Sequence, residues 1–246
     1  MSVSVWRPPV SRRAPLVIFS HGFHGSSRQS VFLMKALAGH GYLVIAPNHR
    51  DAIRRGGPAA GIRPEQGFGD VKAWTDATYR DRGDDIKTLL ANLRKDPTWS
   101  SRIDWSEVAL CGHSLGGYTV LGLAGAWPSW KLPGIKAVVA LSPYANPYID
   151  RKTLHGISAP VMYQGGTIDF GITPLVKKPG GAYELTPAPC CFVEFQGAGH
   201  FAWTDLNPKF QPSIIYYTEA FLDRYVKGSS AEFSKKLGDV SQIRVK

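Results

Sequence analysis

Cysteine is scarce. Three cysteines in 246 residues are too few for the disulfide framework of a small secreted scaffold. Cys190 and Cys191 are neighbours, whose pairing needs a strained ring, and Cys111 sits alone in an apolar run. No spacing of cysteine or histidine matches a metal site, so neither a metal nor an organic cofactor is expected. Long apolar runs are also missing. Nothing approaches a membrane span, and Met1 to Arg13 contains no apolar h-region. Stable membrane insertion is therefore not expected. A reducing cytoplasm is the expected compartment, with secretion after removal of a leader as the alternative. Linkers, repeats and low-complexity tracts are absent, so residues 1–246 read as one domain, with 1–13 and 228–246 as peripheral extensions.

Acidic residues are in deficit, with 19 Asp and Glu against 29 Lys and Arg, a formal charge of +10. An excess of that size attracts anions at long range, nucleic acid included. Here the positive residues are dispersed, as Arg12 with Arg13, Arg54 with Arg55, Lys177 with Lys178 and Lys235 with Lys236. Scattered pairs make no stripe that could track a groove. No nucleic-acid partner is expected, and the charge reads as a soluble basic surface.

What is present is a core-forming composition, 43% hydrophobic, arranged as short apolar runs alternating with helical stretches. Leu16 to Ser20, Tyr42 to Ala46, Val108 to Cys111, Ile135 to Leu141, Val161 to Gln164 and Cys191 to Phe195 read as strands. Ser30 to His40, Tyr79 to Leu93, Leu115 to Ala126 and Gln211 to Val226 carry helical spacing. Residues 54–76 are rich in Gly, Pro and charge, a surface excursion long enough to border a substrate cleft. The basic tail from Lys227 is expected to be only partly ordered. Alternation of this kind implies right-handed crossovers and a mostly parallel sheet with helices on both faces. Ligands of such sheets bind beyond the carboxyl ends of the strands.

The chemistry-bearing residues fall at those ends. Gly112-His113-Ser114-Leu115-Gly116 joins a strand to a helix rich in small residues, the setting in which a strained turn presents a nucleophilic serine. A serine needs a base, and the base needs a carboxylate to fix its tautomer. His200 follows the strand ending at Phe195 through Gly197-Ala198-Gly199, and Asp169 follows the strand ending at Gln164. The chain order Ser, Asp, His fits this architecture. Asp150 is the alternative acid, and Asp205 falls after the histidine, in the wrong order. Attack on a carbonyl also needs two preplaced N–H donors. Leu115, directly after the serine, supplies one. Phe23, in the His21-Gly22-Phe23-His24-Gly25 loop after the first strand, supplies the other, and His21 reads as structural.

With its VIFSHGFHG, YLVIAPNHRD, DRGDDIKTLL, CGHSLGGYT, QGGTIDFGIT and GAGHFAW segments, the chain resembles the α/β-hydrolase superfamily over nearly its whole length. Within it, the chain is most similar to the lidless group of dienelactone hydrolases, cutinase-like polyester hydrolases, chlorophyllases and platelet-activating-factor acetylhydrolases. The resemblance implies an α/β-hydrolase fold with Ser114 as nucleophile, Asp169 as acid, His200 as base, and oxyanion donors at Phe23 and Leu115. Dienelactone hydrolases proper use a cysteine nucleophile, so Ser114 argues against that exact activity. The cysteines do not match the disulfide pattern of secreted cutinases.

Only Ser142 to Ala159 separates one strand from the next where many relatives insert a cap, so no large cap domain is expected. The open site would be rimmed by Phe23, Tyr144, Phe170, Phe201 and Trp203, an apolar wall for an acyl chain or aromatic alcohol. The expected function is hydrolysis of small-molecule carboxylic esters, on short- to medium-chain or aromatic substrates, through an acyl-enzyme on Ser114. A thioesterase or amidase would use the same triad, and a receptor could use the same fold without chemistry. Oligomeric state is not indicated.

Overall fold

The computed structural model describes residues 1–9, 13–53 and 63–246. Residues 54–62 of the expected surface excursion lie outside the described residues, as does Arg12. Eight strands form one sheet in the order β1-β3-β2-β4-β5-β6-β7-β8. Their ranges are β1 Val3–Trp6, β2 Ala14–Ser20, β3 Leu43–Pro47, β4 Ile103–His113, β5 Ile135–Leu141, β6 Val161–Gly166, β7 Cys190–Phe195 and β8 Val240–Val245. All neighbours run parallel except β1 on β3 and β8 on β7, which close the two edges antiparallel. This is the α/β-hydrolase arrangement. The tail is more ordered than its composition suggests, because β8 pairs with β7 from Cys191 to Phe195.

Strand alternation sorts the core into two layers. Leu16, Ile18, Leu110 and Val138 point to the face covered by α2 (Arg80–Lys95) and α3 (Leu115–Leu121). Val17, Phe19, Cys111 and Val139 point to the opposite face, covered by α1 (Val31–Gly39) and α4 (Gln211–Tyr225). Both layers are packed with buried side chains, so the inner strands are apolar on both sides. That is why they read as continuous hydrophobic runs.

The helix expected over Leu115 to Ala126 keeps α geometry only to Leu121 and continues as a wider turn over Gly122–Ala126. Gly125, at φ +127, lies against the Gly156 carbonyl where a side chain would collide. A residue without Cβ is required there. No helix among the described residues is long and apolar enough to cross a membrane.

Candidate active site

Ser114 sits between the end of β4 and the start of α3 with φ +56 and ψ −118, a backbone state that non-glycine residues rarely occupy. The two glycines that flank it explain how the turn closes. A Cβ on Gly112 would collide with the Gly116 carbonyl, and a Cβ on Gly116 with the Ser20 carbonyl of β2. The strand and helix backbones therefore cross at a distance that only glycine allows. The Ser114 amide donates to Leu141 of β5 (3.0 Å), and its carbonyl accepts from Tyr144 (3.0 Å).

The structure brings the three distant residues together. His200 Nε2 lies 2.9 Å from Ser114 Oγ, and His200 Nδ1 lies 3.2 Å from Asp169 Oδ1. Asp169 is nearly sealed (3% exposed). Burial alone would raise its carboxyl, but hydrogen bonds from His200 and Ser142 outweigh it and hold the group below its ordinary range. Asp169 Oδ2 also accepts from the hydroxyls of Ser142 (2.7 Å) and Thr173 (2.9 Å). Asp150, the alternative acid, ends the short helix Asn146–Asp150 and has no hydrogen bond to His200 among the described residues.

The loop after β2 runs past the serine: a Cβ on Gly22 would lie 3.3 Å from Ser114 Cβ, and Phe23 lines the same cleft as Ser114. Neither the Phe23 amide nor the Leu115 amide donates to an acceptor among the described residues. Two sets of bonds hold this loop. From the sheet side, fully buried Arg82 of α2 donates to the carbonyls of His21 (2.9 Å) and Gly22 (3.3 Å) and grips Asp51 with Nε (3.0 Å) and Nη2 (3.1 Å). Burial would raise Asp51, but the Arg82 guanidinium holds it below its usual value. His21 is structural, as expected: its Nε2 accepts from the His49 amide (3.1 Å).

From the cleft side, Gly22 N–H donates to Gln29 Oε1 (2.9 Å), which fixes the amide so that Gln29 Nε2 donates to His113 Nδ1 (2.9 Å). His113 then carries its proton on Nε2 and donates it to the His200 carbonyl (2.8 Å). One continuous line thus ties the loop after β2 to the loop that carries His200. Burial, followed by the proximity of His200, pushes the His113 imidazole down to about 3, so it is neutral across the ordinary pH range.

A cleft of about 560 Å³ opens over Ser114. Phe23, Phe170 and Phe201 line it as expected, and Phe170 (77% exposed) and Phe201 (62% exposed) stand at its rim. Tyr144 and Trp203 do not line it. Tyr144 is 3% exposed because its hydroxyl donates inward to the Phe68 carbonyl (2.7 Å) and its ring packs on Phe68 and Trp74. Trp203 is fully buried, with its indole N–H donating to Gln164 (3.0 Å). Their places are taken by Phe68, Ile168 and Ile172. Phe68 comes from the described part of the surface excursion, which was expected to border a cleft. Asp51, Arg82, Gln29, Ser142 and Thr173 are supporting residues that no catalytic motif in the sequence marks. Asp51 and Arg82 stand in the YLVIAPNHRD and DRGDDIKTLL segments, where an arginine and an aspartate at helix and strand ends were the available signal.

Residues 11–162 match the family model described as serine aminopeptidase, S33. Over 226 residues the chain is 25% identical to Cutinase est2 of Thermobifida alba, covering 91% of this chain and 63% of that protein. It is equally similar to Cutinase 2 of Thermobifida cellulosilytica, covering 72% of it, and to Cutinase cut1 of Thermobifida fusca, covering 60%. The chain thus spans less than two thirds of two of these three relatives.

Proposed function

The chain belongs to the serine aminopeptidase S33 family of α/β-hydrolases, and from that premise we propose that it is a carboxylic-ester hydrolase working through an acyl-enzyme on Ser114. The observation that carries this reading is the line from Ser114 Oγ to His200 Nε2 (2.9 Å) at the floor of an apolar cleft, backed by buried Asp169. His200 takes the Ser114 proton as the hydroxyl attacks the ester carbonyl. The Phe23 and Leu115 amides receive the oxyanion, each worth about 3 kcal/mol in sites of this kind. His200 returns the proton to the leaving alcohol, and water repeats the cycle on the acyl group.

The lining supports an ester over a peptide with a free amino terminus. Recognising an ammonium calls for an anionic group that remains available. Here the carboxylate on the cleft lining, Asp169, is engaged by His200, Ser142 and Thr173, while Phe23, Phe68, Ile168, Phe170 and Phe201 supply apolar surface. This favours uncharged esters with a short to medium acyl chain or an aromatic alcohol. The cutinase name carried by its relatives points the same way. The test is a panel of nitrophenyl esters from acetyl to palmitoyl, with matched thioester and anilide substrates and Ser114→Ala as blank. Ester turnover that peaks at short or medium chains is expected. Turnover that survives in Ser114→Ala overturns the mechanism.

A further inference from the structure

Resting on that reading, we propose that Ser142 is a fourth member of the hydrogen-bonded relay, a positioning residue through which Asp169 acts on His200. Its hydroxyl stands between the two. Ser142 Oγ is 2.7 Å from Asp169 Oδ2 and 2.8 Å from His200 Nδ1, both shorter than the direct 3.2 Å contact between His200 Nδ1 and Asp169 Oδ1. Asp169 is ionised, so it only accepts, and the Ser142 proton points to Oδ2. The Ser142 oxygen then presents its lone pairs to His200 Nδ1–H. Thr173 completes the pattern: its Oγ1 accepts from the Gly166 amide (2.9 Å) and donates to the same carboxylate oxygen (2.9 Å).

The backbone holds the hydroxyl in that gap. Ser142 follows β5 directly, is fully buried, and has φ +42, in the left-handed region where a side chain is strained. Its amide donates to Gln164 of β6 (2.7 Å), while Leu141 before it accepts from the Ser114 amide (3.0 Å). The turn that carries Ser142 is thus bonded both to the next strand and to the nucleophile. Glycine would relieve the strain, but only a residue with a hydroxyl bridges the two groups. When His200 takes the Ser114 proton, the positive charge at Nδ1–H meets an oxygen already polarised by a carboxylate. No proton leaves Ser142; it orients the imidazole and passes the field of Asp169 to it.

Two substitutions separate relay from scaffold. Ser142→Ala keeps the strained backbone and Ser142→Gly relieves it, yet both delete the hydroxyl. On nitrophenyl butyrate, both are expected to lose about 10²-fold in kcat with KM within about twofold, as an interaction confined to the transition state requires. Thermal melts of both proteins establish folding, and Ser142→Gly serves even where Ser142→Ala melts early. The His200 Nδ1 proton should also move upfield in the proton NMR spectrum of both. Folded Ser142→Gly with kcat within twofold of the parent, or an unmoved Nδ1 proton, overturns the relay. Failure of the esterase reading would look different, since the parent protein itself would then lack Ser114-dependent turnover.

Discussion

Two chains of serine, histidine and aspartate run through the described residues with the same polarity, and only one of them opens its serine and histidine to solvent: Ser20 and His49 are buried, and the second chain reaches the surface at Asp85 alone, 28% exposed. In the first, Ser114 Oγ reaches His200 Nε2 at 2.9 Å, and His200 Nδ1 faces Asp169. In the second, Ser20 Oγ reaches His49 Nε2 at 2.9 Å, and His49 Nδ1 reaches Asp85 Oδ2 at 2.9 Å. Ser20 closes β2 in ordinary strand geometry and is fully buried, with Arg82 Nη1 donating towards its oxygen at 3.4 Å. Ser114 is raised on a strained turn beneath a cleft, with Leu115 next to it in the chain and Phe23 lining the same cleft. A hydrogen-bonded trio is therefore not what makes a nucleophile. Approach of a carbonyl to within about 3 Å and donors aimed at its oxygen make the difference. The inner histidine instead secures the root of the Phe23 loop, where the His49 amide donates to His21 Nε2 (3.1 Å).

The largest effect that would break this contrast is at the two serines themselves. Ser114→Ala should lower kcat by about 10⁶-fold, in line with loss of a nucleophile in a serine hydrolase, and should abolish labelling by a fluorophosphonate. Ser20→Ala should keep the label, mapped by peptide mass to Ser114. A label found on Ser20 would show that the interior trio opens to reagents, and the distinction drawn from burial would fall.

Next in size is the brace. Arg82→Met strands the Asp51 carboxylate in the interior, and breaking a buried pair from one side costs about 3–5 kcal/mol. It also removes the donor to the His21 and Gly22 carbonyls, so ester turnover should fall along with stability. Urea unfolding measures the first effect and nitrophenyl ester kinetics the second. Replacing both partners, Arg82→Met with Asp51→Leu, should recover much of the stability while turnover stays low. Equal midpoints for Arg82→Met and the parent would mean that the pair does not hold the loop.

The Ser114 trio was far easier to read from the chain than the Ser20 one. Ser114, Asp169 and His200 each follow an apolar run and a glycine-rich turn, so strand ends alone bring them to one edge of the sheet. His49 and Asp85, like Asp51 and Arg82, meet only because α2 packs across β3, a contact that no local period encodes. Ser142 lacks any pattern, since its role depends on a backbone turn with φ +42. Tyr144 and Trp203 were misplaced for a related reason. Tyr144 lies in irregular chain and Trp203 ends a single 3-10 turn from His200, too short for helical or strand spacing to say which way a ring points. The edge strands β1 and β8 are half-exposed, so they lack the continuous apolar run that marked the inner ones. That loss of signal follows from having one side of the strand in water.

The smallest and most graded test concerns the histidines. Burial, and after it the Arg82 charge, pushes the His49 imidazole well below its ordinary 6.5, and the same causes act on His21. His113 is pushed down to about 3. The folded state thus keeps these rings neutral, whereas the unfolded chain protonates them as pH falls past about 6.5. Their contribution to stability is complete above that pH and is lost as pH drops towards the lower folded values. Each adds a slope of up to about 1.4 kcal/mol per pH unit. Urea unfolding between pH 7.5 and 5 (an accessible window, about one to two units below 6.5 at its acid end) should show a steep decline. In His49→Gln that decline should be shallower by up to one histidine's share, although the variant starts less stable because the bonds to Ser20 and Asp85 are altered. An unchanged slope would mean that His49 accepts a proton in the folded state. The burial of Ser20 and His49 would then no longer keep that ring neutral, and the contrast between the two trios would rest on access to substrate alone.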